Sequence, residues 1–155
     1  MNRLTAGTVA PYFELPDQNG TVVKLSSLQG KKVLVYFYPK AMTPGCTTQA
    51  CALRDSKTEL EQRNLVVLGI SPDSSMRLKK FEARDELNFT LLADEEHKVA
   101  DAFGVWGLKK FMGKEYDGIH RISFLINEQG VIEHVFDNFK TSNHHQIVID
   151  YLDSL

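Results

Sequence analysis

The feature that most constrains the fold is a run of six apolar and aromatic residues at positions 33–38, which Pro39 follows directly. A continuous run of this length predicts a strand that is buried on both of its faces. A second run of this kind covers residues 65–70, and helical patterns stand between and after the two runs. Strands that alternate with helices predict an α/β protein whose sheet is covered by helices on both faces.

Periodicity and turn residues predict the remaining elements. Four helices are expected, at residues 44–63, 75–84, 95–103 and 143–152. Asp94 is expected to cap the third helix, and Gly104 to end it. A short strand is expected at residues 90–92, and two hairpins are expected around the turns at residues 17–20 and 127–130. The second hairpin, with strands at 121–126 and 131–136, makes the sheet mixed, whereas the first is an N-terminal β-hairpin.

Residues 105–120 do not fit the regular pattern, because they combine several glycines with Trp106, Phe111 and Tyr116. We therefore expect a long loop there. A loop of this length in a compact domain is either functional or a mobile surface excursion. The sequence leaves both interpretations open.

The bulk properties limit the class of protein. A length of 155 residues predicts a single domain, residues 1–155, and the net charge of −2 gives no electrostatic reason to bind nucleic acid or an anionic membrane. No apolar run is long enough to span a bilayer, and the N-terminus lacks a signal-peptide pattern. We therefore expect a soluble, cytoplasmic protein. In that compartment its two cysteines indicate redox chemistry or metal binding rather than a structural disulfide.

Cys46 stands where a helix is expected to begin. Thr43 is a suitable N-cap and Pro44 a suitable first helical residue, which places Cys46 in the first turn. There the unpaired backbone N–H groups and the helix dipole favour the thiolate, which attacks the distal oxygen of a peroxide and becomes a sulfenic acid. The Thr43 hydroxyl is expected to accept from the Cys46 N–H and to donate to the sulfur or the peroxide. The alternative is an inert cysteine beside a capping threonine.

Cys51 lies five residues after Cys46. On an α-helix their Cα atoms would be about 8–9 Å apart, beyond the limit of about 7 Å for a disulfide. The pair therefore cannot bond while the helix is intact. Either Cys51 is a small core residue, or the helix unwinds and Cys51 resolves the sulfenic acid.

These residues resemble a known family. The spacing Pro39-x-x-x-Thr43-x-x-Cys46 is similar to the active-site signature of peroxiredoxins, and residues 36–51 as a whole closely resemble the bacterioferritin-comigratory-protein branch. The resemblance covers essentially the whole chain. It includes three further segments, Ala10-Pro11-Tyr12-Phe13, Gly104-Val105-Trp106 and Gly118-Ile119-His120-Arg121.

The resemblance implies a thioredoxin-like fold and a thiol peroxidase that reduces hydrogen peroxide and organic hydroperoxides, with thioredoxin as its reductant. It implies that Cys46 is the peroxidatic cysteine and Cys51 the resolving cysteine. Thr43 would hydrogen-bond the thiolate and peroxide, Pro39 would shield the site, and Arg121 would activate the thiolate. Without the resemblance, Arg121 would be read as a surface residue at a strand end.

One departure from the wider family concerns the cysteine that resolves the sulfenic acid. The C-terminal half contains no cysteine, so resolution by a C-terminal cysteine of a partner subunit is excluded. We expect a monomer.

Two other functions fit the sequence less well. A thioredoxin-like disulfide reductase would need Cys-x-x-Cys and a cis-proline opposite it, yet four residues separate the cysteines and every proline precedes residue 73. A metal-binding module would use the histidines, but their spacing matches no metal site, so we predict no metal and no cofactor. A redox sensor would use the same thiol chemistry but would need a surface that binds a partner. The histidines are His97, His120, His134, His144 and His145. A thiol-based redox sensor without significant turnover remains the alternative.

Overall fold

A computed structural model of the chain describes residues 2–155. The strands are β1 (Glu14–Pro16), β2 (Val22–Lys24), β3 (Lys32–Phe37), β4 (Leu65–Ser71), β5 (Thr90–Ala93), β6 (Trp106–Phe111), β7 (Lys114–Ile119), β8 (Ser123–Ile126) and β9 (Ile132–Phe136). The helices are α1 (Pro44–Asp55), α2 (Lys57–Gln62), α3 (Ser75–Asp85), α4 (Lys98–Phe103) and α5 (His144–Asp153). A short 3₁₀ helix covers Leu25–Leu28.

The centre of the fold is a five-stranded sheet with the strand order β5-β4-β3-β8-β9. β3 pairs in parallel with β4, and β4 in parallel with β5. β8 runs antiparallel to both β3 and β9. The sheet is therefore mixed, as the sequence predicted, and β3 lies at its centre because its residues are apolar on both faces.

The alternation of side chains along β3 divides the core into two layers. Leu34 and Tyr36 pack with buried residues of α1, α2, α3 and α5 on one face. Val33, Val35 and Phe37 pack with α4 and the N-terminal segment on the other face. Helices thus cover both faces of the sheet, which confirms the predicted fold class.

Both predicted hairpins are present. β1 pairs antiparallel with β2 across the turn at Asp17, whose carboxylate accepts from the N–H groups of Asn19 and Thr21. β8 and β9 form the second hairpin. β8 begins at Ser123 rather than at Arg121, so Arg121 lies just before the strand.

The prediction of a loop at residues 105–120 was wrong. This segment is a two-stranded antiparallel hairpin, β6–β7, that stands apart from the central sheet. Met112 and Gly113 form its turn with positive φ angles of 52° and 79°, as a two-residue turn requires. Much of the hairpin is solvent-exposed on both faces, so it lacks the alternation of apolar and polar residues that would have revealed two strands.

The prediction of one helix over residues 44–63 was also wrong. α1 ends at Asp55, and α2 begins at Lys57. Between them Ser56 has φ −97° and ψ 7°, and its N–H is shared between the carbonyls of Ala52 and Leu53. Asp and Ser are weak helix formers, which allows the helical path to break at this point.

The third predicted helix begins later than expected, at Lys98 rather than at residue 95. His97 has a left-handed backbone with φ 50°, which prevents a continuous helix from residue 95. Asp94 nevertheless caps the helix, because its carboxylate accepts from the N–H groups of Val99 and Ala100. Gly104 ends the helix with φ 75°, as predicted.

No helix within residues 2–155 has the length and apolar character needed to cross a membrane.

Candidate active site

Cys46 lies in the first turn of α1, close to the carboxyl end of the central strand β3. Thr43 is the N-cap residue and Pro44 the first helical residue, as the sequence predicted. The Cys46 side chain is 1% exposed. The first-turn N–H groups of a helix lack intrahelical partners, so an anion is favoured where the Cys46 sulfur lies.

Arg121 supplies a positive charge directly to this sulfur. Its Nη2 donates to Cys46 Sγ over 3.2 Å. The sheet register brings the two residues together, because Ser123 of β8 pairs with Tyr36 of β3 and the Phe37 N–H bonds to the Ile122 carbonyl. Arg121 therefore reaches the end of β3 at which α1 begins.

Gln49 is a site residue that the sequence reasoning missed. Its side chain is 1% exposed, and Oε1 accepts from Arg121 Nη1 over 3.1 Å. Gln49 follows Cys46 by three residues, so both lie on the same face of α1. The guanidinium is thus held by two side chains of one helix. That i, i+3 spacing is the signal that could have identified Gln49.

The backbone at Gly45 leaves room for this arrangement. A Cβ atom at Gly45 would lie 3.1 Å from Arg121 Nη2 and 3.7 Å from Thr141 Cγ2. The first of these distances is tighter than ordinary contact. A side chain at position 45 would therefore displace the guanidinium from the sulfur.

The predicted hydrogen bonds of Thr43 are not the ones observed. The Thr43 hydroxyl donates to the Lys40 carbonyl over 2.8 Å, and it makes no side-chain capping bond to α1. The hydroxyl instead closes the turn between Lys40 and Thr43, which competes with capping. Its lone pairs remain available to accept a hydrogen bond. Pro39 is half-buried just before this turn.

The loop between β3 and α1 is anchored from the neighbouring strand. Buried Asp73, just after β4, accepts from the Ala41 N–H over 2.8 Å and from the Ser71 hydroxyl over 2.7 Å. Arg77 Nη2 donates to the Ala41 carbonyl, and Arg77 Nε lies 3.1 Å from Asp73 Oδ1. Both backbone groups of Ala41 are therefore held. The sequence reasoning missed this anchor, because its residues are distant from Cys46 in the chain.

Cys51 lies further along α1, and both cysteines are free thiols. It is half-buried, and burial is the main cause that raises the pKa of its thiol. α1 is continuous from Pro44 to Asp55, so the geometry that separates the two sulfurs holds in this conformation. The structure brings Cys46 and Arg121 together but leaves Cys51 apart from them.

Tyr36 of β3 and Tyr38, which directly follows the strand, lie in the same core layer as Cys46. The rings of Tyr36 and Tyr38 are stacked with their centroids 5.3 Å apart, and each side chain is 1% exposed. Burial raises the pKa of both phenols well above the ordinary value. They remain neutral at physiological pH, so they add no negative charge to the core layer that contains the sulfur.

Comparison with known proteins identifies the family. A family model described as the AhpC/TSA family matches residues 6–135, which is most of the chain. The chain belongs to the AhpC/TSA family. Peroxiredoxin Bcp of Escherichia coli K12 is 62% identical over 152 residues, which cover 98% of this chain and 97% of that protein. The resemblance to the bacterioferritin-comigratory-protein branch of the peroxiredoxins is confirmed.

Solved structures of this AhpC/TSA branch share the fold. Peroxidoxin BcpB of Mycobacterium tuberculosis is 33% identical, with a TM-score of 0.87 and coverage of 99% of both chains. The bacterioferritin comigratory protein of Xanthomonas campestris, which reduces alkyl peroxides, is 28% identical, with a TM-score of 0.87 and coverage of 98% and 96%. The predicted thioredoxin-like peroxiredoxin fold is thereby confirmed, and the chain is a cysteine-dependent peroxidase that uses a hydroperoxide and a thiol reductant.

Proposed function

We propose that Cys46 is the peroxidatic cysteine and that Arg121 activates it. The observation that carries this proposal is the 3.2 Å contact between Arg121 Nη2 and Cys46 Sγ in the first turn of α1. A cation at this distance stabilises the thiolate relative to the thiol. The same guanidinium can donate to a peroxide oxygen that approaches the sulfur.

In the first step the Cys46 thiolate attacks the distal oxygen of the hydroperoxide. The S–O bond forms as the O–O bond breaks, and the leaving alkoxide or hydroxide takes up a proton to become an alcohol or water. The sulfur is oxidised to a sulfenic acid. Arg121 stabilises the negative charge that moves onto the leaving oxygen.

Thr43 and Pro39 shape the approach to the sulfur. The Thr43 hydroxyl donates its proton to the Lys40 carbonyl, so we assign its oxygen the role of accepting from the O–H of the incoming hydroperoxide. It then orients the peroxide rather than capping the helix. Pro39 lies in the adjoining loop and shields the site from water.

In the second step Cys51 resolves the sulfenic acid. Its thiol gives up a proton, and the resulting thiolate attacks the Cys46 sulfur. The S–S bond forms as the S–O bond breaks, and the departing hydroxide takes up a proton to become water. Because α1 holds the two residues apart, its first turns must unwind before this bond forms. The raised pKa of Cys51 keeps this residue a thiol until opening exposes it to solvent.

Thioredoxin is the proposed reductant that returns the disulfide to two thiols. The protein is proposed to act as a cytoplasmic monomer with one peroxiredoxin domain over residues 1–155, on hydrogen peroxide and organic hydroperoxides. The family relationship supports this substrate class, since the Xanthomonas campestris relative reduces alkyl peroxides. The net charge of −2 supports the absence of nucleic acid and anionic membrane among its partners.

The test measures steady-state turnover of hydrogen peroxide and of an alkyl hydroperoxide. Turnover is monitored as the oxidation of NADPH in the presence of thioredoxin and its reductase. We expect sustained turnover that depends on thioredoxin and is lost in Cys46→Ser. A matched reaction with glutathione and glutaredoxin separates the two kinds of reductant. A single stoichiometric oxidation without turnover under either reductant would favour the redox-sensor alternative.

A further inference from the structure

The β6–β7 hairpin carries a lysine that takes no part in either step of the proposed reaction. Lys109 is half-buried, whereas Lys110 and Lys114 of the same hairpin are exposed. Its Nζ donates to the Ile119 carbonyl over 2.8 Å. Ile119 is the last residue of β7 and precedes Arg121 by two positions. The ammonium group therefore lies against the backbone that leads into the active-site arginine.

The methylene chain of Lys109 is held as well as its head group. A Cβ atom at Gly118 would lie 3.3 Å from Lys109 Cδ, so the side chain passes closely over the Gly118 backbone. On the same strand, the carbonyl of Leu108 lies 3.1 Å from His120 Nε2. Adjacent residues of β6 thus fix both Ile119 and His120, the two residues that precede Arg121.

The charge of Lys109 has no acidic partner among residues 2–155. None of the ion pairs formed within this range includes Lys109 or Arg121. Burial and the nearby Arg121 lower the pKa of Lys109, and the Cys46 sulfur opposes this effect. The geometry places the ammonium on the Ile119 carbonyl, two residues before the arginine that donates to Cys46 Sγ. A thiolate formed at Cys46 would place a negative charge beside the Arg121 guanidinium.

We propose that Lys109 is a positioning residue of the peroxidase site, which fixes the Ile119 carbonyl ahead of Arg121 and supplies a second positive charge near Cys46. This inference rests on the proposed role of Cys46 as the peroxidatic residue. The hairpin that the sequence presented as a loop then has a function: it extends the electrostatic environment of the thiolate.

Lys110 provides a matched control for this proposal. It is the next residue on the same strand, it is exposed, and it pairs at 3.6 Å with Glu115 across the hairpin. Lys110→Met removes the same charge and leaves a similar side chain, but it does so away from the site. Lys109→Arg keeps the charge and the ability to donate to the Ile119 carbonyl, so it tests for rescue.

The experiment uses the full chain with Cys51→Ser, so that only Cys46 reacts. The first measurement is the second-order rate of Cys46 oxidation by hydrogen peroxide. The second is the ratio of alkylation rates with anionic iodoacetate and neutral iodoacetamide, which reports the local positive potential. Thermal unfolding of each variant confirms that it is folded, and Lys109→Gln serves as a second neutral variant.

We expect Lys109→Met and Lys109→Gln to slow oxidation about fivefold and to lower the iodoacetate-to-iodoacetamide ratio by a similar factor. Lys109→Arg should recover most of both values, and Lys110→Met should match the parent. A Lys109→Met protein with the parent rate and ratio would overturn the proposal. A slower rate with an unchanged ratio and no rescue by arginine would overturn the second positive charge and leave only the positioning of the Ile119 carbonyl to Lys109.

The two proposals fail in different ways. If the parent Cys51→Ser protein forms no sulfenic acid on Cys46, the proposed function itself is wrong. If the parent reacts normally and the Lys109 variants match it, the proposed function stands and only the role of Lys109 is rejected.

Discussion

Arg121 Nη2 lies 3.2 Å from Cys46 Sγ, although 75 positions separate the two residues in the chain. The contact depends on the antiparallel pairing of β8 with β3, which delivers Arg121 to the end of the strand that leads into α1. Gln49 Oε1 accepts from Nη1, the other terminal nitrogen of the guanidinium. The proposed peroxidase site is therefore a product of the sheet register as much as of the cysteine motif.

The first prediction concerns the charge of Arg121. Replacement by alanine removes the cation beside Cys46 and the donor to the peroxide, so we expect the second-order rate with hydrogen peroxide to fall about a hundredfold. Arg121→Lys should recover part of that loss, because it restores charge but not the two-pronged geometry. Stopped-flow kinetics provides the measurement. Arg63→Ala is the control, because it removes an arginine that pairs with Asp153 and not with Cys46. If Arg121→Ala reacted with peroxide as fast as Arg63→Ala, the role assigned to Arg121 would be contradicted.

Gly45 allows stability and activity to be separated. Gly45→Ala places a Cβ 3.1 Å from Arg121 Nη2, and we expect the oxidation rate to fall about threefold to tenfold as the guanidinium shifts. Alanine also favours the helix by up to about 1 kcal/mol, so the melting temperature should stay level or rise. Kinetics and thermal unfolding are measured together. Thr48 is exposed on the same helix, so the control Thr48→Ala should leave the oxidation rate unchanged. If Gly45→Ala also left the rate unchanged, the guanidinium would not need the space beside Gly45.

Much of the fold was predictable from the sequence, because the two apolar runs and the helical periods are set by burial. The central strand, the helices on both faces and the hairpins at 17–20 and 127–130 all follow from that pattern. The β6–β7 hairpin was missed since exposure on both faces removes the periodic signal. The break at Ser56 was missed since helical periodicity continues through it.

The site was predictable only in part. Cys46 and its place in the first turn follow from Thr43, Pro44 and the preceding strand. The role proposed for Arg121 came from family resemblance. The anchoring of Ala41 by Asp73 joins the segments that follow two neighbouring strands, and no local sequence pattern encodes such a contact. The hydrogen bond of Thr43 was predicted wrongly, because a hydroxyl has several local acceptors and the Lys40 carbonyl is one of them.

The third prediction concerns the opening of α1 on oxidation. Disulfide formation between Cys46 and Cys51 must unwind the start of the helix and break contacts such as that from Arg84 Nη2 to Thr47 Oγ1, 2.8 Å long. We expect faster amide hydrogen exchange across residues 44–55 in the oxidised protein. Exchange in α5 should be unchanged and serves as the internal control. Equal protection of residues 44–55 in both states, with the disulfide present, would contradict the unwinding step.

The fourth prediction is a loss of stability at mildly acidic pH from His144. This residue is fully buried, its Nε2 lies 2.8 Å from Ser123 Oγ, and burial lowers its pKa to about 3. Because the unfolded value is 6.5, the unfolded chain binds a proton that the folded protein excludes. The stability is fully present above pH 6.5 and is lost as the pH falls towards 3.

The size of this effect is measurable by urea unfolding. Between about pH 7.5 and pH 5.5 the His144 contribution should lower the free energy of unfolding by about 1.4 kcal/mol. His144→Gln, which cannot titrate, should show a pH dependence flatter by that amount, whatever its absolute stability. Identical slopes for the two proteins would mean that His144 is not held neutral in the folded state.

The most direct test of the central claim is mass spectrometry after one equivalent of hydrogen peroxide, with and without a sulfenic acid trap. In the wild-type protein we predict the loss of two hydrogen atoms and a peptide that links Cys46 to Cys51. In Cys51→Ser we predict the gain of one oxygen atom at Cys46, captured by the trap, and in Cys46→Ser no change. Oxidation that starts at Cys51, or peroxide consumption by Cys46→Ser, would contradict the account.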